Sequence, residues 1–230
     1  MKKDSIGNRM KENYENRYRF QLTRRTPVII RLDGKAFHTF TKGLEKPFDL
    51  TLHRTMVETT KFLIEQIQGA KLGYTQSDEI SILVTDYDYF ETEAWFDYNI
   101  QKLTSVSSSL ATGMFNFVSP FDKIGYFDSR VFNIPKEEVM NYFLWRFQDW
   151  RRNSIQLLGQ SLFSHKELHK KNQHEIIEMC KTKGHDWNAL PDVWRYGTLV
   201  ESNGYEFNID LSDISQRVHI ENMCVYTEKD

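Results

Sequence analysis

Residues 28–38 read Val28-Ile29-Ile30-Arg31-Leu32-Asp33-Gly34-Lys35-Ala36-Phe37-His38, an apolar, partly β-branched run that stops at an acid followed by a glycine. Such a run predicts a buried strand that carries Asp33 to its exposed end. Glycine at position 34 lets the backbone turn sharply and lets a ligand approach main-chain amides and carbonyls. The turn is therefore expected to hold a carboxylate beside accessible backbone.

A second acidic turn interrupts two strand-like runs within residues 73–84, where Ser77-Asp78-Glu79 lies in the middle. A hairpin with Asp78 at its tip would bring this carboxylate close to Asp33 if the strands are neighbours in one sheet. Two adjacent carboxylates repel each other unless a cation lies between them, and oxygen ligands on a rigid frame suit Mg²⁺. The alternative is a helix cap and a turn residue, which is common for an isolated Asp-Gly pair. The ordered combination of both turns favours the metal site.

The rest of the chain predicts a helix that crosses over one face of a sheet. Asp49 is expected to be the N-cap of a helix over residues 50–68, between the first strand and the acidic hairpin. A second helix is predicted over residues 91–117, and a fourth strand over residues 127–134. Pro135 and the acids after it are typical of another helix start.

The two ends of the sequence give weaker signals. Residues 4–24 are polar and are predicted to form a helix that packs through Met10, Tyr14 and Tyr18. Residues 194–200 are predicted to be a strand or an extended segment. The following residues mix polar and apolar types without a period, and no element is assigned to them.

Composition narrows the class of protein. The chain has 230 residues, enough for one large domain or one and a half, and its net charge is −2. A nucleic-acid site would therefore have to be a local basic patch. Two cysteines provide no disulfide framework. The N-terminus leads into no apolar signal region, and no run approaches the roughly 20 apolar residues of a membrane span, so a soluble cytoplasmic protein is expected.

Basic residues cluster at two places. Arg146, Arg151 and Arg152 lie on one predicted helix and are the best candidates for binding phosphates through bidentate contacts and counterion release. The alternative is that they are exposed arginines without a ligand. His165 and His169 have the spacing of a helical metal pair. Because lysines surround them and repel cations, a basic or solvated helix is the preferred interpretation.

The sequence resembles the tRNA-histidine guanylyltransferases and their bacterial and archaeal guanylyltransferase-like relatives, which add nucleotides to RNA 5′ ends in the 3′-to-5′ direction. Motifs of this family occur in the family's order over residues 5–200. They are Arg31-Leu32-Asp33-Gly34-Lys35-Ala36-Phe37-His38-Thr39-Phe40, Lys46-Pro47-Phe48-Asp49, Gln76-Ser77-Asp78-Glu79, Phe127-Asp128-Ser129-Arg130-Val131 and, more weakly, Trp194-Arg195-Tyr196-Gly197-Thr198. Each motif is weakly specific, whereas the ordered set is strongly specific.

The resemblance implies an α+β fold with a polymerase-palm-like, ferredoxin-like antiparallel sheet and helices on one face. The palm-like catalytic domain would span residues 1–135, and a helical and extended C-terminal region, residues 136–230, would pack on it. The resemblance also implies a Mg²⁺-dependent nucleotidyltransferase that uses tRNA, ATP and GTP and is commonly a homotetramer.

The metal ligands follow residue by residue from the same resemblance. Asp33, Asp78 and the carbonyl oxygen of Gly34 would bind two Mg²⁺ ions. Glu79, which lies beside them in its motif, is predicted to be catalytic together with Asp33 and Asp78. In the implied reaction, ATP first adenylylates a 5′-monophosphate tRNA. The 3′-hydroxyl of an incoming nucleoside triphosphate then attacks the activated end and expels AMP, whereas a 5′-triphosphorylated RNA needs no activation.

The resemblance also implies nucleotide contacts. A triphosphate would be held by consecutive backbone amides, those of Gly34, Lys35, Ala36, Phe37 and His38. Lys46 and Ser77 would lie beside the nucleotide used for activation. Lys102 aligns loosely with a family lysine that contacts triphosphate.

One motif departs from the family pattern. Eukaryotic members that add guanosine to tRNA-His carry His-Ile-Asn-Asn-Leu-Tyr-Asn after a Trp-Arg helix start. This chain has Trp145-Arg146-Phe147-Gln148-Asp149-Trp150-Arg151-Arg152-Asn153-Ser154-Ile155 there, so the histidine position holds arginine and one asparagine is retained. The departure favours the guanylyltransferase-like branch, which is associated with template-directed repair of 5′-truncated tRNA, over a strict tRNA-His guanylyltransferase. The candidate RNA-binding residues are Arg146, Arg151, Arg152, Asn153 and Arg195.

Two other classes share parts of the pattern. A nucleotide or diguanylate cyclase would have the same palm arrangement of two acids. Its hairpin would read Gly-Gly-Asp/Glu-Glu-Phe, whereas this chain reads Gln76-Ser77-Asp78-Glu79. A non-catalytic RNA-binding module fits poorly with two intact acids.

Overall fold

A six-stranded antiparallel sheet runs through the protein in the computed structural model, which describes residues 5–224. Its strands are β1 (Val28–Gly34), β2 (Ala70–Gln76), β3 (Glu79–Val84), β4 (Phe127–Asn133), β5 (Thr198–Glu201) and β6 (Glu206–Phe207). The spatial order is β4-β1-β3-β2-β5-β6. Because β1 pairs with β3, the end of β1 lies beside the β2–β3 turn.

Helices α3 and α4 cover one face of this sheet. The helices are α1 (Ile6–Asn13), α2 (Phe37–Phe40), α3 (Leu50–Gln66), α4 (Ile100–Val118), α5 (Val139–Leu162), α6 (His165–Leu168), α7 (Gln173–Thr182), α8 (Asp192–Tyr196) and α9 (Ile214–Cys224). Side chains alternate between the two faces of a strand. Ile30 and Leu32 of β1 and Ile82 of β3 therefore pack in one core with Met56 of α3 and Phe115 of α4.

Helices α5 and α9 of the C-terminal region contribute to the core on the opposite face. Ile29 of β1 and Leu83 of β3 share this core with Phe143 and Phe147 of α5 and Ile220 of α9. A strand that is buried on both faces needs a nearly continuous apolar run, which is what β1 provides. The predicted α+β palm-like fold is confirmed, and the C-terminal region supplies the second layer.

The C-terminal half of α5 extends beyond the sheet and packs on α7. Ile155 and Leu158 of α5 bury their side chains against Ile176 of α7 and Trp187 in the loop that follows. The indole nitrogen of Trp187 donates a hydrogen bond to Ser154 Oγ at 3.0 Å. This contact anchors the loop before α8 to α5.

Two predicted boundaries are confirmed by capping and turn residues. Asp49 is the N-cap of α3, and its side chain accepts a hydrogen bond from the amide of Leu52 at 2.8 Å. Pro135 precedes a short 3₁₀ turn that leads into α5. Both signals are local, because the groups that satisfy the helix ends lie within a few residues.

The predicted N-terminal helix is wrong in length and in packing. Helix α1 ends at Asn13 and is followed by a short 3₁₀ turn. The side chains expected to pack are exposed, with Met10 at 43%, Tyr14 at 61% and Tyr18 at 67%. Their spacing therefore does not mark a face that this chain buries.

Two further predicted boundaries are wrong. Helix α4 begins at Ile100 rather than at residue 91, and Asn99 is its N-cap. The segment 194–200 is divided, because α8 ends at Tyr196 and β5 begins at Thr198. Gly197, at φ +74°, provides the change of direction between them.

None of the helices within residues 5–224 has the length and apolar character that a membrane crossing needs. Cys180 is a buried free thiol on α7, and the side chain of Cys224 is not described. The expectations for residues 1–4 and 225–230 lie outside the described residues.

Candidate active site

The acids predicted from the sequence meet where β1 ends and β3 begins, a place that we call the acidic edge. Asp33, near the end of β1, lies directly opposite Glu79 at the start of β3. The amide of Gly34 donates a hydrogen bond to the carbonyl oxygen of Asp78 at 3.1 Å, which ties the end of β1 to the β2–β3 turn. Since paired residues of antiparallel strands have Cα atoms about 5 Å apart, Asp33 and Asp78 are neighbours across this turn.

The β2–β3 turn holds its acids in a defined orientation. Ser77 adopts a left-handed backbone conformation with φ 50°, and its hydroxyl donates to Asp78 Oδ1 at 3.0 Å. The hydroxyl of Thr75 donates across the hairpin to the carbonyl oxygen of Glu79 at 3.0 Å. The turn is therefore closed by its own polar side chains.

Asp78 lies in an electrostatically unfavourable position. The pKa of Asp78 is raised to about 6, chiefly by burial and also by the charges of Asp33 and Glu79, while the hydrogen bond from Ser77 opposes the change. Arg130 Nη2 lies 3.7 Å from Asp33 Oδ2, too far for a hydrogen bond. Repelling carboxylates in a partly buried position are an arrangement that a divalent cation stabilises.

The donor set at this edge fits Mg²⁺ rather than a transition metal. The described residues contain no group of three or more His, Cys, Asp or Glu side chains that could hold a metal ion. Two carboxylates would need further oxygens from a carbonyl such as that of Gly34, from water or from phosphates. Mg²⁺ is usually bound in this way. The ligand roles of Asp33, Gly34 and Asp78 stay a prediction.

Glycine is required at position 34 for packing as well as for turning. A Cβ atom there would lie 2.3 Å from Cδ2 of Phe37. Phe37 is buried among aromatic rings, with its centroid 4.8 Å from that of Phe40 and 5.5 Å from that of Phe115. The side chain of Phe37 thus anchors the loop in the core and leaves only its backbone for a ligand.

Two of the five amides predicted to hold phosphate are already used. The amide of Gly34 closes the turn, and the amide of Lys35 donates to the carbonyl oxygen of Tyr126 at 2.8 Å. The prediction is therefore wrong for these two amides. The other three belong to residues 36–38 at the start of α2, where a helix leaves its first N–H groups without intrahelical partners.

The prediction that Arg146 is an RNA-contacting surface residue is also wrong. Its side chain is 4% exposed, and its guanidinium donates to both carboxylate oxygens of Glu79, at 2.7 and 3.1 Å. Arg31 Nη2 donates to the same carboxylate at 2.7 Å. Burial alone would lower the pKa of Arg31, but the charge of Glu79 and its hydrogen bond raise it. Glu79 is therefore clamped between β1 and α5.

Two cavities adjoin the acidic edge and share a wall. The acidic cavity is lined by Arg31, Asp33, Asp78, Glu79, Arg146, Asp149, Asn153 and Gln156. The aromatic cavity is lined by residues of α3, α8 and the loop before α3, including Lys46, Phe48, Asp49, His53, Val193 and Trp194. The shared wall consists of Gln76, Ser77, Trp150, Leu157 and Gln160.

The aromatic cavity combines flat rings with a cation. Phe48 and Trp194 stack on each other, with centroids 5.0 Å apart and planes 7° apart. Lys46 and Ser77, which were predicted to lie beside one nucleotide, both line this cavity. Rings that pack against a base and an ammonium group that attracts phosphate are the features that a nucleotide site needs.

Among the cavity-wall residues that sequence reasoning missed are Trp150 and His53. Trp150 lines both cavities, and its indole nitrogen is buried without a hydrogen-bond partner among the described residues. Buried donors normally have a hydrogen-bond acceptor, and a bound ligand would provide one. His53 had no motif of its own. Its position one turn after Asp49 on a helix was the available signal.

Lys102 is not brought to the candidate site. Its Nζ lies 5.3 Å from the ring centroid of Phe96, near the N-terminus of α4. Phe115, near the other end of α4, packs on Phe37. A helical rise of about 1.5 Å per residue separates these positions by about 20 Å. The predicted contact of Lys102 with a triphosphate stays a prediction.

The other candidate RNA-binding residues surround the cavities. Arg151, Arg152 and Asn153 are exposed on α5, and Asn153 lines the acidic cavity. The guanidinium carbons of Arg151 and Arg195 lie 5.5 and 5.9 Å from the ring centroid of Trp187. These two arginines thus converge on one aromatic ring although they are far apart in sequence.

The palm-like sheet, the acidic edge and the adjoining aromatic cavity are the features expected of a nucleotide-binding nucleotidyltransferase. Residues 7–135 match the family model for Thg1, tRNAHis guanylyltransferase. The chain belongs to the tRNA(His) guanylyltransferase family and is an enzyme of the nucleotidyltransferase class.

Relatives and solved structures agree with this assignment. A bacterial tRNA(His) guanylyltransferase (Thg1)-like protein in complex with ATP is 44% identical, with a TM-score of 0.89 over 96% of this chain and 100% of that chain. Another such bacterial structure, in complex with GTP, is 40% identical, with a TM-score of 0.77 over 97% of this chain and 100% of that one. The tRNA(His) guanylyltransferase of Candida glabrata is 26% identical over 215 residues, which cover 81% of this chain and 86% of the relative.

Proposed function

We propose that this enzyme extends the 5′ end of tRNA in the 3′-to-5′ direction and repairs 5′-truncated tRNA by copying the opposing strand. The observation that carries this proposal is the pair of adjoining cavities at the acidic edge. A two-step reaction needs one place for the activating nucleotide and one for the incoming nucleotide, with the RNA end between them. Ser77, in the shared wall, and Asp78, in the acidic cavity, are adjacent in sequence at this junction.

The first step would join the RNA end to a nucleotide bound in the aromatic cavity. An oxygen of the RNA 5′-phosphate attacks the α-phosphorus of ATP, and pyrophosphate leaves. Lys46 would balance phosphate charge, while Trp194 and Phe48 would pack against the base. This assignment is supported by the complexes of similar bacterial proteins with ATP and with GTP.

The second step would occur at the acidic cavity. The 3′-hydroxyl of the incoming nucleoside triphosphate attacks the 5′-phosphorus of the RNA, a new P–O bond forms, and AMP leaves. Asp33, Asp78 and the carbonyl of Gly34 would hold two Mg²⁺ ions, which supply charge neutralisation and alignment at phosphorus. The amides of residues 36–38 would contact the incoming triphosphate. Glu79, held by Arg31 and Arg146, would keep the turn that bears Asp78 in place.

Base choice by template pairing is proposed from the arginine at the motif departure. Arg151 stands where the strict guanylyltransferases have histidine, and it lies against Trp187 with Arg195 close by. Contacts of arginine with phosphate groups position a nucleic acid but carry no sequence information. A site that holds the tRNA end by its backbone leaves the choice of nucleotide to pairing with the opposing strand.

A template series tests this proposal. A 5′-monophosphate tRNA lacking its first nucleotide is prepared with each of the four bases at the opposing position and incubated with ATP, all four nucleoside triphosphates and Mg²⁺. Sequencing of the 5′ ends should show the complementary nucleotide in each case, because pairing rather than a protein pocket selects it. Addition of G whatever the opposing base would instead identify a strict tRNA-His guanylyltransferase and would overturn the template mode.

A homotetramer in the cytoplasm is the proposed state of the enzyme. An apolar groove between α3 and α4 supports assembly, since Phe62, Leu110 and Met114 line it and the side chain of Phe117 is 85% exposed. Exposed apolar patches of this kind are typical of interaction sites. A second copy of the chain would bury the groove.

Substituting Phe117→Asp should therefore reduce the particle mass. A charge in an apolar interface costs several kcal/mol, whereas on an exposed helix face it costs the monomer little. Native mass spectrometry of the wild type and the variant gives the subunit number. Phe117→Leu, which keeps the surface apolar, is the matched control and should assemble normally. A wild type that is monomeric at micromolar concentration would contradict the assembly.

A further inference from the structure

A hydrogen-bond chain links β5 and the loop after β6 to the wall of the aromatic cavity. The side-chain nitrogen of Asn208 donates to Thr198 Oγ1 at 2.8 Å and also to the carbonyl oxygen of Gly197. Thr198 Oγ1 lies 3.2 Å from Nε2 of His53. His53 lies on α3, so these hydrogen bonds connect three elements that are distant in sequence.

The directions of these hydrogen bonds can be worked out. The Gly197 carbonyl only accepts, so the Asn208 amide must present its nitrogen to this corner, and Thr198 Oγ1 is then an acceptor toward Asn208. Thr198 is 2% exposed, and a buried hydroxyl proton needs an acceptor. Among the described residues, the acceptor that it reaches is Nε2 of His53.

These hydrogen bonds determine the tautomer of the His53 ring. A neutral imidazole with an accepting Nε2 carries its proton on Nδ1. Burial lowers the pKa of His53 to about 4, and of the two charged neighbours Glu206 raises it while Arg54 lowers it. The ring is therefore neutral at physiological pH, and Nδ1–H is a donor of fixed orientation.

The Nδ1–H group belongs to a ring that lines the aromatic cavity. The His53 ring meets Trp194 edge to face, with centroids 5.3 Å apart, and Trp194 stacks on Phe48. Among the described residues, the side-chain hydrogen bond of His53 is the one between Nε2 and Thr198 Oγ1. The donor is thus left for a group that enters the cavity beside the Trp194 ring.

We propose that His53 is a base-binding residue for the activating nucleotide, with its Nδ1–H donating a hydrogen bond to an unprotonated ring nitrogen of a purine base packed beside Trp194. The inference rests on the proposed function, because it assigns the aromatic cavity to activation. Adenine offers N1, N3 and N7 as unprotonated ring nitrogens. Guanine shares N3 and N7 but carries a proton on N1, so a contact to N1 selects adenine, whereas a contact to N3 or N7 accepts either purine. Thr198 and Asn208 act as positioning residues that select the Nδ1–H tautomer.

Two substitutions of His53 distinguish the role of Nδ1 from the role of Nε2. The side-chain amide nitrogen of His53→Asn takes roughly the place of Nδ1, and that of His53→Gln takes roughly the place of Nε2. His53→Gln should weaken ATP binding about tenfold, the range of one hydrogen bond to a ligand, while His53→Asn should weaken it about threefold or less. Thr198→Val, which removes the proton offered to Nε2, should weaken it to an intermediate degree. Thermal melting shows whether each variant is folded. If a His53 variant is not folded, ATP binding by Thr198→Val is compared with that of the wild type instead.

Deaza analogues identify the contact directly. Wild-type protein is titrated with ATP and with 1-deaza-, 3-deaza- and 7-deaza-ATP, each of which replaces one ring nitrogen by C–H. One of the three should bind about tenfold more weakly than ATP, and the deficit should disappear in His53→Gln. Equal binding of all four ligands to the wild type would overturn the inference, as would a deficit that persists in His53→Gln.

A comparison of two RNAs distinguishes this inference from the proposed function. A 5′-monophosphate tRNA needs activation, and a 5′-triphosphorylated one does not. His53→Gln should therefore lower the extension rate of the monophosphate tRNA about tenfold relative to that of the triphosphorylated tRNA. An unchanged ratio would overturn the role of His53 and leave the proposed function standing. A wild-type enzyme that extends neither RNA would instead contradict the proposed function.

Discussion

Asp33→Asn and Asp78→Asn are each expected to lower the rate of nucleotide addition by about a thousandfold or more. Both side chains meet at the acidic edge, where the proposed ions would neutralise charge at phosphorus. Loss of several kcal/mol of transition-state stabilisation corresponds to this factor. The rate is measured under single-turnover conditions on 5′-triphosphorylated tRNA, so that activation does not enter the result.

The same substitutions should leave the fold intact. Asp78→Asn removes a charge that burial and the neighbouring Asp33 make unfavourable, so its melting temperature in EDTA should equal or exceed that of the wild type. Asp122→Asn, at an exposed acid between α4 and β4, is the matched control and should change neither property. Activity of Asp78→Asn within tenfold of the wild type would contradict the ligand role.

The acidic edge could be predicted because its signals are local. The apolar run before Asp33 marks a strand, Gly34 marks its end, and the Ser77-Asp78 pair marks a tight turn between two strands. The two turns lie side by side because β1 pairs with β3. This pairing joins residues that are distant in sequence, so no local pattern predicts it. The family motifs supplied this pairing as an expectation, and the register of Asp33 opposite Glu79 agrees with it.

The role of Arg146 was misjudged although the helix carried a signal. Arg146 lies three residues after Phe143 and four before Trp150, so helical periodicity places it on the buried face of α5. Arg151 and Arg152 are exposed on another side of α5, so the three arginines do not form one basic cluster. Its partner Glu79 is 67 residues away in sequence, and no local pattern indicates such a pair.

Tertiary contacts explain why the predicted start of α4 is wrong. Residues 87–99 contain acids and aromatics that could continue a helix, but Phe96 and Asp97 adopt left-handed conformations with φ 50° and 51°. Arg24 donates to the buried carboxylate of Asp86 at 2.6 Å and to the carbonyl oxygen of Thr92 at 3.1 Å. Such tertiary contacts override the local preference for a helix.

Arg146→Met is expected to lower the free energy of unfolding by about 3–5 kcal/mol, the cost of leaving a buried carboxylate without its partner. Glu79 would keep Arg31 as a partner on one oxygen only. The measurement is urea unfolding followed by fluorescence. Arg152→Met is the matched control, because the Arg152 side chain is 58% exposed and pairs with Asp149 on the same helix. Its loss should cost about 0–1 kcal/mol.

A double-mutant cycle then assigns the cost to the unpaired charge rather than to lost packing. Glu79→Gln removes the charge that Arg146→Met leaves behind, so the double variant should be more stable than Arg146→Met alone. Losses that add would show that Arg146 contributes only through its aliphatic stem. Because Glu79 directly follows Asp78, Arg146→Met should also slow nucleotide addition in conditions where the variant is fully folded. Full activity in those conditions would mean that the clamp on Glu79 stabilises the fold without positioning the metal-binding turn.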